Sequence, residues 1–168
     1  MTLSVYETLR VTLNRNLDVV DHLLDQAAAS AQARSFDIGV LLNARLAPDM
    51  LPLIRQVQLI SDMGKGMAGR LSGTTLPVFE DVETTLPELK QRIARTREFV
   101  NSIDPASFAG AEDREITIPT RAEALRFKGL DYLLSFALPN FYFHVSAVYM
   151  ILRHNGVELG KRDFLGLR

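Results

Sequence analysis

The sequence predicts an all-α protein, a four-helix bundle with a small β-hairpin before its last helix. Three observations carry this expectation. Three segments repeat apolar residues at the three- and four-residue spacing of an amphipathic helix. A fourth segment, near the C-terminus, is apolar nearly all round. Between the third and the fourth, a short stretch alternates with period two, which suits a strand. The amphipathic helices would supply the walls of the bundle, and the fourth is expected to be surrounded by them.

The first helix should start at Ser4. Ser4 and Glu7 form an S-x-x-E capping box, in which each side chain satisfies a backbone donor of the first turn. Leu9, Leu13, Leu17, Val20 and Leu24 follow and share one stripe at ~100° per residue. The pattern fades through Ala27, Ala28, Ala29 and Ala31, so the helix should end near Arg34. Residues 37–48 read as a connector with a helical turn around Val40–Asn43. The second long helix is expected to start near Asp49, with Pro52 early in it, and to stop near Gly73. Its apolar face holds Leu53, Ile60, Met63 and Met67.

A loop containing Pro77 leads to a second capping box, Thr85-Leu86-Pro87-Glu88. Leu86, Leu89, Ile93, Val100 and Ile103 give this third helix its stripe, and Asp104-Pro105 ends it. Glu115-Ile116-Thr117-Ile118 is the alternating stretch, answered by Leu125-Arg126-Phe127 as a hairpin. The last helical region follows Gly129. Pro139 should kink or restart it, and Asn155-Gly156 should end it, glycine suiting the left-handed C′ position.

Composition narrows the function classes. At 168 residues, 47% hydrophobic and 23% charged, the chain is expected to form a single domain over residues 1–168 with a full core. Nineteen basic residues stand against twenty acidic ones, which leaves no electrostatic footprint for nucleic acid. No cysteine is present, which removes disulfides, thiol nucleophiles, iron–sulfur clusters and cysteine zinc sites. The N-terminus lacks a basic region followed by an apolar one, so a cytoplasmic address is expected. From Tyr132 to Leu152 there is no Asp, Glu, Lys or Arg. That length could span a bilayer. Pro139, Asn140, His144, Ser135 and Ser146 lie within it, and mean hydropathy is only +0.05, so a buried core helix rather than a membrane helix is expected.

Three histidines are the strongest remaining metal ligands. His22 lies about 180° from the stripe of the first helix and should face solvent. His154 belongs to the last turn of the fourth helix, as a partner of the helix dipole or a packing residue. His144 shares a face with Asn140, Val148, Ile151 and Asn155 on a helix apolar nearly all round, so it should be buried and hydrogen-bonded. Gln56 lies on the apolar stripe of the second helix. It is either an edge residue reaching water or part of a polar pocket with Asn140 and His144. Those three are the candidate ligand-binding residues, since bundle cores are where such proteins place ligand sites. A helical metal pair needs its second ligand four residues away, and those positions hold Asn140 and Val148. No metal and no cofactor is therefore expected. No Walker A loop, G-x-G-x-x-G or H-E-x-x-H is present. Gly64-Lys65-Gly66 reads as a close helix contact or a local weakness. Lys90, Arg92, Arg95 and Arg97 read as a solvated face. Phe136, Phe141, Tyr142 and Phe143 read as core and interface.

The string from Phe136 to His144, followed by Ile151 to Val157, Leu159-Gly160-Lys161 and Asp163 to Gly166, resembles a bacterial family of unknown function. Residues 44–50 with Gln56-Val57, and Thr85 to Glu88 with Arg92-Ile93, fit it as well, so the resemblance covers nearly the whole chain. That family is similar to the DinB/YfiT-like group of metal-dependent bundles. The resemblance implies a four-helix bundle with a long crossover, often dimeric. Its metal-binding members use one histidine of the second helix and an H-x-x-x-H pair of the last. Position by position, His144 matches the first of that pair, Val148 the second, and a residue near Gln56 the remaining ligand. The sequence departs at two of the three. The expectation is a DinB-like homodimer without the metal triad that binds a small ligand in an internal polar pocket or keeps that pocket as a structural relic. Two alternatives stand beside it: a metal-dependent thiol transferase or hydrolase, and a homodimeric interaction protein with no chemistry.

Overall fold

The structure, a computed structural model, describes residues 4–120 and 122–167. Four long helical segments form the bundle: α1 (Val5–Ala33), α3 (Leu53–Ser72), α4 (Leu86–Ser102) and α6 (Leu138–His154). The short helix α2 (Gly39–Leu42) lies between α1 and α3. A 3-10 turn (Pro105–Phe108) and the hairpin β1 (Glu115–Ile118) and β2 (Leu125–Lys128) follow α4. The single turn α5 (Gly129–Asp131) and a π-helical stretch (Tyr132–Ala137) run without a break into α6, and α7 (Lys161–Phe164) closes the chain.

The helices make a square. α3 packs against α4 and, most extensively, α6, while α1 packs against the same two from the opposite corner. The chain thus crosses the diagonal between α1 and α3, which is why the connector over 37–52 is long. Leu9, Leu13, Leu17, Val20 and Leu24 are all buried, so the α1 stripe is the one the spacing predicts. Gly64 sits where all four helices meet. A Cβ there would touch Leu13, Thr96 and Phe141 at 3.6–3.8 Å. The sequence reading of a close helix contact holds.

Local signals act largely as expected. Ser4 Oγ accepts from the Glu7 amide at 3.5 Å. The Glu7 carboxylate, however, turns to Arg10 at 2.9 Å, so only half of that capping box forms. At α4 the Glu88 carboxylate takes the Thr85 amide at 2.9 Å and the Thr84 amide at 2.8 Å. The strands pair antiparallel with Ile116 opposite Phe127. Gly156 takes φ +82°, the left-handed C′ conformation. Gly129 is needed for space: a Cβ would strike the Ala111 carbonyl.

Two expectations are corrected. α3 begins at Leu53 with Pro52 as N-cap, not near Asp49. Proline disfavours helix at the residue before it, and the Leu53 amide, which opens the helix, donates to the Ala44 carbonyl at 2.9 Å. The last helix is not surrounded. Gly129–His154 is long and apolar enough by length and composition to cross a membrane, yet only 33% of its most apolar window is buried. One face packs on α1 and α3. The other carries Leu130, Leu134, Tyr142, Phe143 and Met150 into solvent. Pro139 lies in the first turn of α6, directly after the π-helical stretch, so the regular α-helix restarts at the proline as the sequence predicts. The π-helical turn before it widens the coil where a proline ring would meet the preceding turn's carbonyl.

Candidate functional site

Gln56 lies in the first turn of α3, its amide bonded to the Pro52 carbonyl at 3.1 Å. The side chain folds back so that Nε2 donates to the Leu51 carbonyl at 3.1 Å. That bond commits the amide nitrogen and turns Oε1 toward α6. His144 Nδ1 lies 2.7 Å from Gln56 Oε1. An amide oxygen only accepts, so His144 carries its proton on Nδ1. Burial holds the imidazole below its ordinary value, because a charged ring loses solvation. The neutral ring then presents Nε2 as a bare acceptor. Nε2 bonds to no described residue and is not among the fully buried unpartnered atoms, so it is not wholly enclosed. Phe143 stands edge-on to the ring at 5.2 Å between centroids.

Of the three predicted site residues, the structure therefore joins Gln56 and His144 and leaves the third apart. Gln56 is 2% exposed and His144 9%. Asn140, one turn before His144, is half-buried and forms no side-chain hydrogen bond with a described residue. Surface cavities lined by other described residues lie elsewhere on the molecule.

The donor set here does not fit a tightly held transition metal. His144 offers one nitrogen. Val148 is fully buried among apolar neighbours and has no donor atom. The Gln56 oxygen is already occupied by His144. Among the described residues no group of three or more His, Asp or Glu is placed to hold a metal, and three protein ligands are the usual minimum for a catalytic zinc.

A second polar cluster was missed by the sequence reading. Arg92 is not on a solvated face; its side chain is fully buried. Its guanidinium meets Asp62 at 2.9 Å, Asp81 at 3.0 Å and Glu83 at 3.0 Å. It also donates to the Glu80 carbonyl at 2.9 Å. Burial opposes ionisation of Asp81, but Arg55 and Arg92 outweigh it and hold this carboxyl below its ordinary value. Phe79 packs under Arg95, 4.1 Å from its ring centre, with Lys65 and Arg92 further out. Beneath this hub, Ser61 and Thr96 share a buried hydroxyl bond of 2.6 Å, and Thr96 donates to the Arg92 carbonyl at 2.8 Å. A signal existed: Arg92 and Thr96 fall three and seven residues after Leu89, at core spacing.

His22 is also corrected. It does not face open solvent but meets Asp163 of α7 at 2.9 Å, with 15% of its side chain exposed. The Gly160 amide, followed by His22, holds the Asp163 carboxyl below its ordinary value. The solvent side of α1 at that point is covered by α7, which pattern on α1 alone cannot reveal. His154 lies in the last turn of α6, as expected, and is exposed there rather than packed.

A family described as a domain of unknown function, DUF1993, matches residues 5–165. A crystal structure of a DinB family member from Shewanella denitrificans is similar, with 41% identity and a TM-score of 0.88. The match covers 96% of this chain and 92% of that one. No curated protein matches.

Proposed function

The chain belongs to the DUF1993 family, on a DinB-like bundle, and from that footing we propose that it binds a small uncharged polar molecule beside His144. One observation carries the reading. The Gln56 bond fixes the His144 tautomer and leaves Nε2 as an unpaired acceptor at the edge of the core. A ligand O–H or N–H completes that acceptor, and the half-buried Asn140 amide can both donate and accept one helical turn away. A merely structural histidine needs no open nitrogen. The imidazole stays neutral because burial disfavours its charged form, so the site selects a donor and not an anion.

Ring nitrogen NMR of His144 tests this. The expected result is a protonated Nδ1 and a bare Nε2 whose resonance moves on titration with small alcohols and primary amides. The movement should vanish in Asn140→Leu with the Gln56 bond retained. A panel that leaves Nε2 unmoved overturns the proposal. So does near-stoichiometric zinc, nickel or iron in protein purified without chelators and lost in His144→Ala, which would favour the metal-dependent transferase or hydrolase instead.

A further inference from the structure

Arg70 lies in the last turn of α3, where a cation suits the helix dipole. Its guanidinium does not bond to the last carbonyls of that helix. It folds back one turn instead, so that a Cβ at residue 66 would collide with Nη1. Gly66 is therefore the space in which the guanidinium lies. From there Nη1 donates to the Tyr132 hydroxyl oxygen at 3.5 Å. Tyr132 opens the π-helical stretch and is 2% exposed. Phe127 and Phe136 pack on its ring, each at 6.0 Å between centroids.

Most donors of this pair are unused. A guanidinium carries five N–H groups. Among the described residues Arg70 reaches one acceptor, at a length past the usual range, and no carboxylate pairs with it. The Tyr132 oxygen accepts that bond, and its own proton meets no acceptor among the described residues. Burial holds the phenol above its ordinary value against the opposing pull of Arg70, so the proton stays on oxygen at neutral pH. Arg92, on the neighbouring α4, meets three carboxylates. Arg70 is half-buried and meets none, a destabilising arrangement that a bound anion relieves.

We propose that Arg70 and Tyr132 form a binding site for a small oxyanion, a carboxylate or a phosphate. An oxyanion takes the fork of a guanidinium in two parallel bonds, and the phenol proton supplies a third. Packing of the Tyr132 ring fixes its hydroxyl before anything binds, which lowers the entropy lost on binding. Arg70 lies fourteen residues after Gln56 on α3, and Tyr132 twelve before His144. At ~1.5 Å per residue the two places are about 20 Å apart. The oxyanion site is thus separate from the neutral one beside His144.

Titration with sodium phosphate, sodium benzoate and sodium chloride at constant ionic strength tests this. Phosphate or benzoate should move the NMR resonance of the Arg70 Nε–H saturably, and chloride should not. Tighter phosphate binding assigns the site to phosphoryl groups and tighter benzoate binding to carboxylates; either supports it. In calorimetric titration Tyr132→Phe should weaken binding about tenfold, and Arg70→Gln should abolish it. Arg70→Lys keeps the charge but loses the fork, so it should bind more weakly than the parent. Gly66→Ala should also weaken binding without lowering the melting temperature, because alanine favours the helix and its Cβ displaces the guanidinium. A resonance that follows chloride as closely as the oxyanions overturns the proposal. So does a resonance that no oxyanion moves, or oxyanion binding that is unchanged in Arg70→Gln or in Tyr132→Phe.

Discussion

Two buried polar clusters flank α3, and they are built on opposite principles. On the α4 side, Arg92 gathers three carboxylates and a backbone carbonyl, and only its Nε remains without a partner. That cluster is closed. It fastens the loop over 79–83 to the bundle. On the α6 side, His144 uses one nitrogen on Gln56 and leaves the other open. Charge separates them. A buried guanidinium must be compensated on nearly every side, whereas a neutral imidazole needs one bond to set its tautomer. Closed clusters hold a fold, and open ones retain the capacity to bind.

The sharpest way to break that contrast is to remove its charged centre. Arg92→Ala takes the cation from Glu83, whose side chain is only 9% exposed and keeps the Gln58 amide as a donor, and should cost about 3–5 kcal/mol in urea unfolding. A loss below ~1 kcal/mol would mean the loop is held by Phe79 packing instead. Leu13→Ala supplies the apolar reference between the two clusters. Leu13 is fully buried, so about 2–5 kcal/mol is expected, growing with the cavity left beside Gly64.

Gln56→Ala probes the open cluster. It deprives His144 Nδ1 of its acceptor and should cost about 1–3 kcal/mol, less than Arg92→Ala. Calorimetric melts of the two variants rank them directly. The pH dependence of stability then sharpens the reading of His144. Its folded-state pKa lies below the ordinary value of 6.5. Between the two values the unfolded chain binds the proton and the folded chain does not, so stability rises with pH there. The contribution is complete above the ordinary value and is lost as pH falls beneath it. His144→Gln should flatten that part of the curve; an unchanged slope would assign it to another group. At the small end, Lys90→Ala removes an exposed contact to Asp25 at 2.5 Å and should cost under ~1 kcal/mol.

The fold was legible because its signals are local. The stripe of α1, the Glu88 cap, the hairpin alternation and Gly156 each depend on neighbours within a few residues. Gln56 and His144 were legible too, since each breaks an apolar pattern on its own helix. The start of α3 was misplaced because Asp49 is a good cap, but Pro52 bars its preceding residue from the helix. Arg92 was hidden by its neighbours Lys90, Arg95 and Arg97, which gave an interior arginine the look of a charged surface.

By itself, then, the sequence determined which segments are helical, which stripe of each amphipathic helix turns inward, and that His144 interrupts the apolar C-terminal helix. Periodicity and capping are properties of one segment and its own backbone. Only the tertiary structure decided that Arg92 lies inside, that His22 is covered by α7, and that α6 keeps one apolar face uncovered. Those outcomes depend on what comes to lie beside a helix from a distant part of the chain. No period within the helix encodes that.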